Sequence, residues 1–332
     1  MGGIALIEVQ NLTKVYGRHV ALDHVSFTID SGKIYGFLGP NGAGKSTTMN
    51  IITGCLAATE GTVTVDGHDI VEEPLEAQRC IGYLPELPPL YMDMTVREYL
   101  RFVAEAKRID PKKRAAEMAL AMAKTGTDGV ADRLIKNLSK GYRQRVGLAQ
   151  AILGDPKVII LDEPTVGLDP KQIIEIRDLI RELGRNRTVM LSSHIMQEIS
   201  AVCDTLIIIA GGRLVAQDTP EHLEERAAHD HALHLTVRAE EDAFRRALNP
   251  LEGKASVREC SALDGGLLEA TLEVQADEDV RETLFYALAD AHCPLLALSQ
   301  EKQSLEDVFL QLTAAEPPAE APLAPQAEKE ES

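Results

Sequence analysis

Apolar and polar residues alternate in some segments of the chain and recur at helical spacing in others. The order of these segments predicts an α/β protein. Apolar and polar positions alternate in residues 4–30, as they do in antiparallel strands with one solvent-exposed face. The run at 34–38 is strand-like, and the runs at 158–161 and 188–193 indicate buried strands with polar residues at their ends. Segments with apolar residues at helical spacing lie between several of these runs, so strands and helices are expected to alternate.

Between about residues 87 and 150 the helical spacing dominates. An amphipathic helix is predicted at 95–103, where Thr95 and Glu98 have the spacing of a capping box. A second helix is predicted at 111–123, with proline at its first position. The region therefore predicts a helical insertion in the α/β pattern.

The remainder of the chain predicts a separate unit. We expect an accessory α+β domain at 221–313, because its strands and helices follow the order βαββαβ of a ferredoxin-like fold and no catalytic constellation occurs in it. The first domain is accordingly placed at 4–220. The segment 314–332 is rich in proline, alanine and glutamate and is predicted to be disordered.

Composition limits the possible partners and compartments. The formal net charge of −18 argues against nucleic acid as the main partner, because binding phosphate backbones needs a basic surface. The five cysteines are far apart, which favours free thiols in a reducing compartment. No apolar run approaches the roughly 20 residues of a membrane span. A cytosolic chain is expected, and any function at a membrane would need a second polypeptide.

A glycine-rich motif lies between the strand-like run at 34–38 and a helix-like run at 48–52. It fits the P-loop pattern GxxxxGK[ST], whose backbone N–H groups form a cradle for phosphate. Lys45 is placed to reach the β- and γ-phosphates, and the Ser46 hydroxyl to bind Mg²⁺. The residues of the motif are Gly39, Pro40, Asn41, Gly42, Ala43, Gly44, Lys45, Ser46 and Thr47.

Charged residues follow two of the predicted buried strands. Asp162 and Glu163 come directly after the strand at 158–161, at the end where open parallel sheets bind ligands. Asp162 suits Mg²⁺, and Glu163 is placed to polarise a water molecule in line with the γ-phosphate. His194 follows the strand at 188–193 and is expected to touch phosphate.

Two further positions have weaker signals. Ser139 is a good N-cap, so the helix after it offers a second anion site, although most helices begin in this way. Tyr16 either stacks on an adenine ring or is a half-buried turn residue, and spacing does not separate these two interpretations.

The order of the motifs resembles the nucleotide-binding domain of an ATP-binding cassette (ABC) transporter. The resemblance covers roughly residues 5–220 and rests on the P-loop, Leu138-Ser139-Lys140-Gly141-Tyr142, the segment 158–163, Gly167-Leu168-Asp169 and His194. It implies an ABC-type P-loop NTPase fold with an antiparallel β subdomain and a helical subdomain. It also implies a homodimeric, Mg²⁺-dependent ATPase in which each copy completes the site of the other.

The resemblance assigns a role to each matching residue. Tyr16 matches the residue that stacks on adenine, Asp162 the metal-binding carboxylate (Walker B) and Glu163 the catalytic base. Ser139, Lys140 and Gly141 match the signature motif, which binds the ATP held on the other subunit. Asp169 matches the D-loop, and His194 the switch histidine.

Two positions depart from the family pattern. The signature reads LSKGY where LSGGQ is commonest, so Lys140 either adds positive charge near phosphate or is simply solvated. Glu86 stands where the family usually has a glutamine that senses Mg²⁺ and the membrane partner. Glu86 is therefore either a further Mg²⁺ ligand or an inert loop acid.

The segment Ser304-Leu305-Glu306-Asp307-Val308-Phe309-Leu310 is predicted to be a terminal helix. Its sequence resembles the C-terminal extension of ABC-2-type exporter ATPases of the gliding-motility, sodium-export and drug-export groups. This resemblance implies an ATPase subunit, peripheral on the inner face of the cell membrane, that powers a separate ABC-2-type permease. The sequence leaves two alternatives open. One is a soluble ABC ATPase that acts on the ribosome or DNA, and the other is a regulatory protein that binds nucleotide with little hydrolysis.

Overall fold

A computed structural model describes residues 5–227, 231–263, 265–275, 279–300 and 305–314. The described residues form two compact units. The first comprises residues up to 220 together with 310–314, and the second lies within 221–309. The limits proposed from the sequence for the domains and for the helical insertion stay predictions. Beyond Ala314, the tail that the sequence predicts to be disordered lies outside the described residues.

The first unit alternates strands and helices, as the sequence predicts. Its elements in chain order are β1 (Ala5–Tyr16), β2 (His19–Asp30), β3 (Ile34–Leu38), α1 (Lys45–Ile52), β4 (Glu60–Val65), β5 (His68–Asp69), α2 (Pro74–Arg79), β6 (Ile81–Leu84), α3 (Val96–Ala106), α4 (Pro111–Thr125), α5 (Lys140–Ile152), β7 (Val158–Leu161), α6 (Pro170–Gly184), β8 (Thr188–Ser193), α7 (Met196–Ser200), β9 (Thr205–Ala210) and β10 (Arg213–Asp218).

Two sheets make up the framework of this unit. The antiparallel sheet has the strand order β2-β1-β4-β5, and its alternating apolar residues are buried. The second sheet has the order β10-β9-β3-β8-β7-β6, and its strands run parallel from β9 to β6. Side chains from both sheets share one core, in which Ile7 and Leu22 pack with Phe37 and Ile160. The predicted fold class is confirmed for this unit.

The helices between β6 and β7 form the predicted helical region. The capping box at the start of α3 is present, because the Thr95 hydroxyl accepts the Glu98 N–H while the Glu98 carboxylate accepts the Thr95 N–H at 2.8 Å. Asp110 caps α4 by accepting the N–H of Lys112. Side chains at both helix starts therefore satisfy N–H groups that have no partner within the helix.

The second unit has the predicted order of elements. After α8 (Pro220–Ala227) come β11 (His231–Arg238), α9 (Glu241–Ala247), β12 (Ala255–Leu263), β13 (Leu267–Val274), α10 (Arg281–Asp290) and β14 (Leu295–Gln300). Helix α11 (Leu305–Ala314) follows, and its residues from Leu310 are counted with the first unit. The strands form an antiparallel sheet of order β12-β13-β11-β14. Alternate residues of β11 and β13 are buried against Phe244 and Leu284, as the sequence pattern requires. The βαββαβ order from β11 to β14 is ferredoxin-like.

Three short elements were not predicted from the sequence: β5, α2 and α7. Each has six residues or fewer, too few for a hydrophobic period to stand out. None of the helices in the described ranges has both the length and the apolar character that crossing a membrane requires.

Lys107 holds the end of α5 to the end of α3. Its ammonium donates hydrogen bonds to the carbonyl oxygens of Gln150, Ala151 and Leu153, at 2.9, 3.3 and 2.8 Å. These are carbonyls of the last turn of α5, which lack partners within the helix and carry its negative partial charge. Burial lowers the pKa of Lys107 to about 8, because removal from water disfavours the charged form.

This lowered pKa predicts a pH-dependent contribution to stability. Between about pH 8 and the ordinary value of 10.5, the folded chain gives up the Lys107 proton while the unfolded chain keeps it. Unfolding then takes up a proton, so stability rises with pH in this window and is independent of this group below it. Relative to Lys107→Met, the wild type should gain on the order of 2 kcal/mol from pH 8 to 10.

Denaturant unfolding of both proteins at several pH values measures this gain. The difference between the two proteins cancels the titration of all other groups. A constant difference from pH 7 to roughly pH 10 would contradict the lowered pKa of Lys107 in the folded chain.

Candidate functional site

Four segments with candidate site residues follow the carboxyl ends of neighbouring parallel strands. The P-loop follows β3, His194 follows β8, Asp162 and Glu163 follow β7, and Glu86 lies two residues after β6. The strands lie in the order β3-β8-β7-β6, so all four segments meet at one edge of the sheet. This is the edge at which open α/β sheets bind ligands.

The P-loop joins β3 to α1 through two left-handed glycines. Gly42 has φ of +84° and Gly44, the residue before α1, has φ of +104°. A Cβ atom on Gly44 would lie 2.6 Å from Leu22 Cδ2 and 2.8 Å from the carbonyl oxygen of Ala21, whereas one on Gly42 would meet nothing within 4 Å. The chain therefore needs glycine at 44 for both conformation and space.

Lys45 is folded against its own loop. Its ammonium donates to the carbonyl oxygens of Gly39 and Pro40, at 2.7 and 3.2 Å. Burial lowers the pKa of Lys45, while the negative charges of Glu163, Asp162 and Glu86 oppose that shift. The three carboxylates thus lie close enough to Lys45 to act on its charge.

Asp162 and Glu163 are buried, with exposed fractions of 3% and 8%. Ser192 bonds to both residues. Its hydroxyl donates to Asp162 Oδ1 at 2.6 Å and accepts the backbone N–H of Glu163 at 2.8 Å. The ends of β7 and β8 are therefore joined beside the P-loop.

His194 contacts the Glu163 side chain. Its Nδ1 atom lies 3.0 Å from Oε2 and 3.2 Å from Oε1 of that carboxylate. An ionised carboxylate can only accept, so in this contact Nδ1 carries the proton and donates. Glu163 also has a left-handed backbone, with φ of +48°, a conformation that is uncommon for residues with a Cβ atom.

These segments line one cavity of about 400 Å³. Its walls include Tyr16, Lys45, Ser46, Glu86 and Glu163. Tyr16 is 47% exposed at the end of β1, and the ammonium of Lys14 lies 5.1 Å from its ring centroid. The ring therefore borders the cavity and is about half exposed. The remaining predicted residues that line it are Asn41, Gly42, Gly44, Thr47 and His194.

The signature and D-loop residues do not line this cavity. Ser139 caps α5 by accepting the N–H of Tyr142, and Asp169 caps α6 by accepting the N–H of Gln172 at 2.9 Å. The two helix starts lie together, because a Cβ atom on Gly141 would be 2.7 Å from the Gln172 side chain. The Lys140 ammonium lies against Gly167.

Sequence reasoning missed two contacts that connect the segments around Glu163. The first is the Ser192 bridge. The second is the hydrogen bond from the Thr165 hydroxyl to Glu198 Oε2, which connects the loop after Glu163 to α7. Ser192 and Ser193 follow the apolar run 189–191 of β8, which was the available signal for Ser192. Nothing in the sequence pairs Thr165 with Glu198.

Comparison with known proteins finds one matching family, described as ABC transporter, over residues 22–166. The linearmycin resistance ATP-binding protein LnrL of Bacillus subtilis (strain 168) is 33% identical over 314 residues, which cover 93% of this chain and 98% of that protein. The bacitracin transport ATP-binding protein BcrA of Bacillus licheniformis is 39% identical over 223 residues, which cover 67% of this chain and 72% of that protein.

Solved structures of ATP-binding cassettes share the fold. One is a dimeric cassette in a post-hydrolysis state, bound to ADP and Pi. It is 26% identical in sequence, with a TM-score of 0.59, and the match covers 64% of this chain and 98% of that one.

The two left-handed glycines of the P-loop provide a matched test of its geometry. Gly42→Ala adds conformational strain alone, whereas Gly44→Ala adds strain and a collision with the backbone at Ala21. We expect Gly44→Ala to weaken ATP binding at least tenfold and Gly42→Ala to weaken it less, because an open position costs about 1–2 kcal/mol of strain and nothing more. Titration with a fluorescent ATP analogue measures both affinities. Equal losses would contradict the crowding at Gly44.

Proposed function

Because the chain belongs to the ATP-binding proteins of ABC transporters, we propose that it is the ATPase subunit of an ABC-2-type exporter, in which two copies sandwich two ATP molecules. The observation that carries this proposal is the division of the site. The P-loop, Glu163 and His194 share one cavity, while Ser139 and Gly141 lie outside it. The names of LnrL and BcrA, which mention resistance and transport, support the exporter assignment.

In the proposed site, the P-loop residues 39–47 bind the phosphates of ATP. Lys45 leaves the carbonyls of Gly39 and Pro40 to meet the β- and γ-phosphates, a favourable exchange because phosphate oxygens carry more negative charge than carbonyl oxygens. Tyr16 stacks on the adenine ring, for which its exposed position at the cavity is suitable.

Ser46, Asp162 and Glu86 are proposed to hold Mg²⁺. The set fits this ion, because a hydroxyl and two carboxylates supply only oxygen ligands, which Mg²⁺ prefers. The bond from Ser192 to Oδ1 fixes the Asp162 carboxylate without using its other oxygen. Bound Mg²⁺ supplies positive charge that neutralises the phosphates.

Glu163 is proposed to act as the general base. Its carboxylate lines the cavity and accepts a hydrogen bond from His194, so its direction is set before a substrate enters. A water molecule between Glu163 and the γ-phosphate would give a proton to this carboxylate as it attacks. His194, whose side chain is 44% exposed, can reach the phosphate from the same side.

The second copy is proposed to complete the site. Ser139 begins α5 at the surface, and the N–H groups of the first turn there attract anions. Asp169 lies at the neighbouring start of α6. If this surface faces the P-loop of a second copy, it would place Ser139, Lys140 and Gly141 against the γ-phosphate of the ATP bound there. The dimeric cassette among the similar structures supports this arrangement.

Replacing the proposed base should separate ATP binding from turnover. Glu163→Gln keeps the size and the hydrogen-bonding position but removes proton acceptance, so we expect phosphate release to fall at least 100-fold while ATP still binds. Without hydrolysis to open it, the variant should accumulate as an ATP-bound dimer. Light scattering after gel filtration in saturating Mg-ATP measures the mass, and Glu60→Gln, an exposed acid outside the cavity, is the control.

A monomer of Glu163→Gln under these conditions would contradict the shared site. Unchanged phosphate release would contradict the role of Glu163 and leave the shared site standing.

The membrane partner is proposed to bind the helical region, on the inner face of the cell membrane. Tyr91 and Phe102 are exposed there and contact each other edge to face, with ring centroids 5.2 Å apart. Leu87, in the loop after β6, is 82% exposed. Exposed aromatic and aliphatic residues grouped in this way are typical of protein interfaces. Because Glu86 precedes Leu87, a protein bound at these residues would adjoin the nucleotide cavity.

A pull-down from native membranes with tagged protein, followed by mass spectrometry, tests this partner. We expect a polytopic membrane protein to be recovered with the wild type and lost with Phe102→Glu, because the new charge would be buried at the interface. Leu120→Glu is the matched control, since Leu120 is a similarly exposed apolar residue on α4.

Recovery of soluble partners alone, with ATPase activity intact, would contradict the transporter assignment and favour a soluble ABC ATPase. Equal recovery with Phe102→Glu would contradict the docking surface only.

A further inference from the structure

Ser192 lies at the centre of the candidate site without lining its cavity. It is the second-to-last residue of β8 and its exposed fraction is 0%. We propose that Ser192 is a positioning residue for ATP hydrolysis, which fixes the Asp162 carboxylate and the backbone of Glu163 together. The inference rests on the proposed function, in which these two acids bind the metal and activate water.

The two hydrogen bonds of Ser192 have unambiguous directions. A carboxylate can only accept, so the hydroxyl donates a hydrogen bond to Asp162 Oδ1 at 2.6 Å. A backbone amide can only donate, so the same oxygen accepts the Glu163 N–H at 2.8 Å. One hydroxyl group thus makes both bonds at once, and the orientation of one acid depends on the position of the other.

The Glu163 backbone needs such support. Its φ of +48° lies in the left-handed region, where the Cβ atom of an L-residue crowds the carbonyl oxygen. Residues in this conformation persist where the surroundings hold them, and they occur often at functional sites. The preceding residue is held by a bond from the Asp162 N–H to the Leu84 carbonyl oxygen at 2.8 Å, and Ser192 holds the next N–H along the chain.

The left-handed turn sets the direction of the Glu163 side chain. In this conformation the carboxylate lines the cavity and lies 3.0 Å from His194 Nδ1. Without the hydroxyl of Ser192, the buried N–H of Glu163 would lose its acceptor, and a return of the residue to the right-handed or extended region would relieve the strain. The carboxylate would then move from its place beside the cavity.

This role predicts a larger effect on turnover than on ATP affinity. Ser192 has an exposed fraction of 0% and does not line the cavity, so a bound nucleotide would have no exposed Ser192 atom to contact. The P-loop, which supplies most of the proposed phosphate contacts, follows a different strand. Displacement of a reacting group by about 1 Å can cost two orders of magnitude in rate.

The neighbouring Ser193 is a matched control. It is also buried, at 2% exposed, and its hydroxyl likewise accepts one backbone N–H, that of Ile195 at 3.0 Å. The two serines therefore differ mainly in the group to which they bond. Loss of a buried hydroxyl in β8 is common to both alanine variants, and loss of contact with Asp162 and Glu163 is specific to Ser192→Ala.

We expect Ser192→Ala to lower kcat for ATP hydrolysis about 10- to 100-fold, with KM and the affinity for a fluorescent ATP analogue within about twofold of wild type. Ser193→Ala should keep kcat within about threefold. Ser192→Thr retains the hydroxyl and should recover most of the activity, whereas Ser192→Cys, with a weak donor and acceptor, should not. Thermal unfolding of each variant confirms that it is folded. If Ser192→Ala does not fold, the comparison of Ser192→Thr with Ser192→Cys decides.

Equal losses of kcat in Ser192→Ala and Ser193→Ala would overturn the inference, and so would equal activity of Ser192→Thr and Ser192→Cys. A loss of ATP affinity as large as the loss of kcat would assign Ser192 to binding instead. In each of these cases the wild type still hydrolyses ATP and the proposed function stands. A wild type without ATPase activity would overturn the proposed function and this inference together.

Discussion

The burial of opposite charges at one edge of the mixed sheet is the constraint on which the site depends. Lys45, Asp162 and Glu163 are each more than nine-tenths buried. An isolated charge in such a place would cost several kcal/mol, so each must be offset by its neighbours. The ammonium and the carboxylates offset one another, and loop carbonyls and the Ser192 hydroxyl satisfy their hydrogen bonds. The parallel order of β3, β8 and β7 brings these groups together, because it places the ends of three sequence-distant strands side by side.

Much of this arrangement could be predicted from the sequence, since its signals are local. The P-loop pattern, the acids after an apolar run and the histidine after another are each read within about ten residues, and parallel strands then bring them to a common edge. The contacts that complete the site are not local. Ser192 bonds to residues 29 and 30 positions away, and Lys107 reaches carbonyls 43 to 46 positions away. No periodicity encodes such pairs, and the left-handed backbone of Glu163 has no sequence signal because glycine is absent there.

The segments outside the cavity form a group of their own. The starts of α5 and α6 are packed together through Gly141 and Gln172, and Lys140 lies against Gly167 in the loop that leads to Asp169. This loop begins directly after Glu163, and Thr165 within it bonds to Glu198 of α7. The surface proposed to meet the second copy is therefore connected, through one short loop and two side-chain contacts, to the acid proposed to activate water.

Helix α5 is held at both of its ends. Ser139 satisfies an N–H group of its first turn, and the ammonium of Lys107 gathers the carbonyls of its last turn. A helix of 13 residues is about 20 Å long and resists fraying when both ends are satisfied. A helix held in this way would rotate as a rigid body about one of its ends. A tilt of roughly 10° about the Lys107 end would carry Ser139 through about 3 Å, the length of one hydrogen bond, without breaking any bond inside the helix.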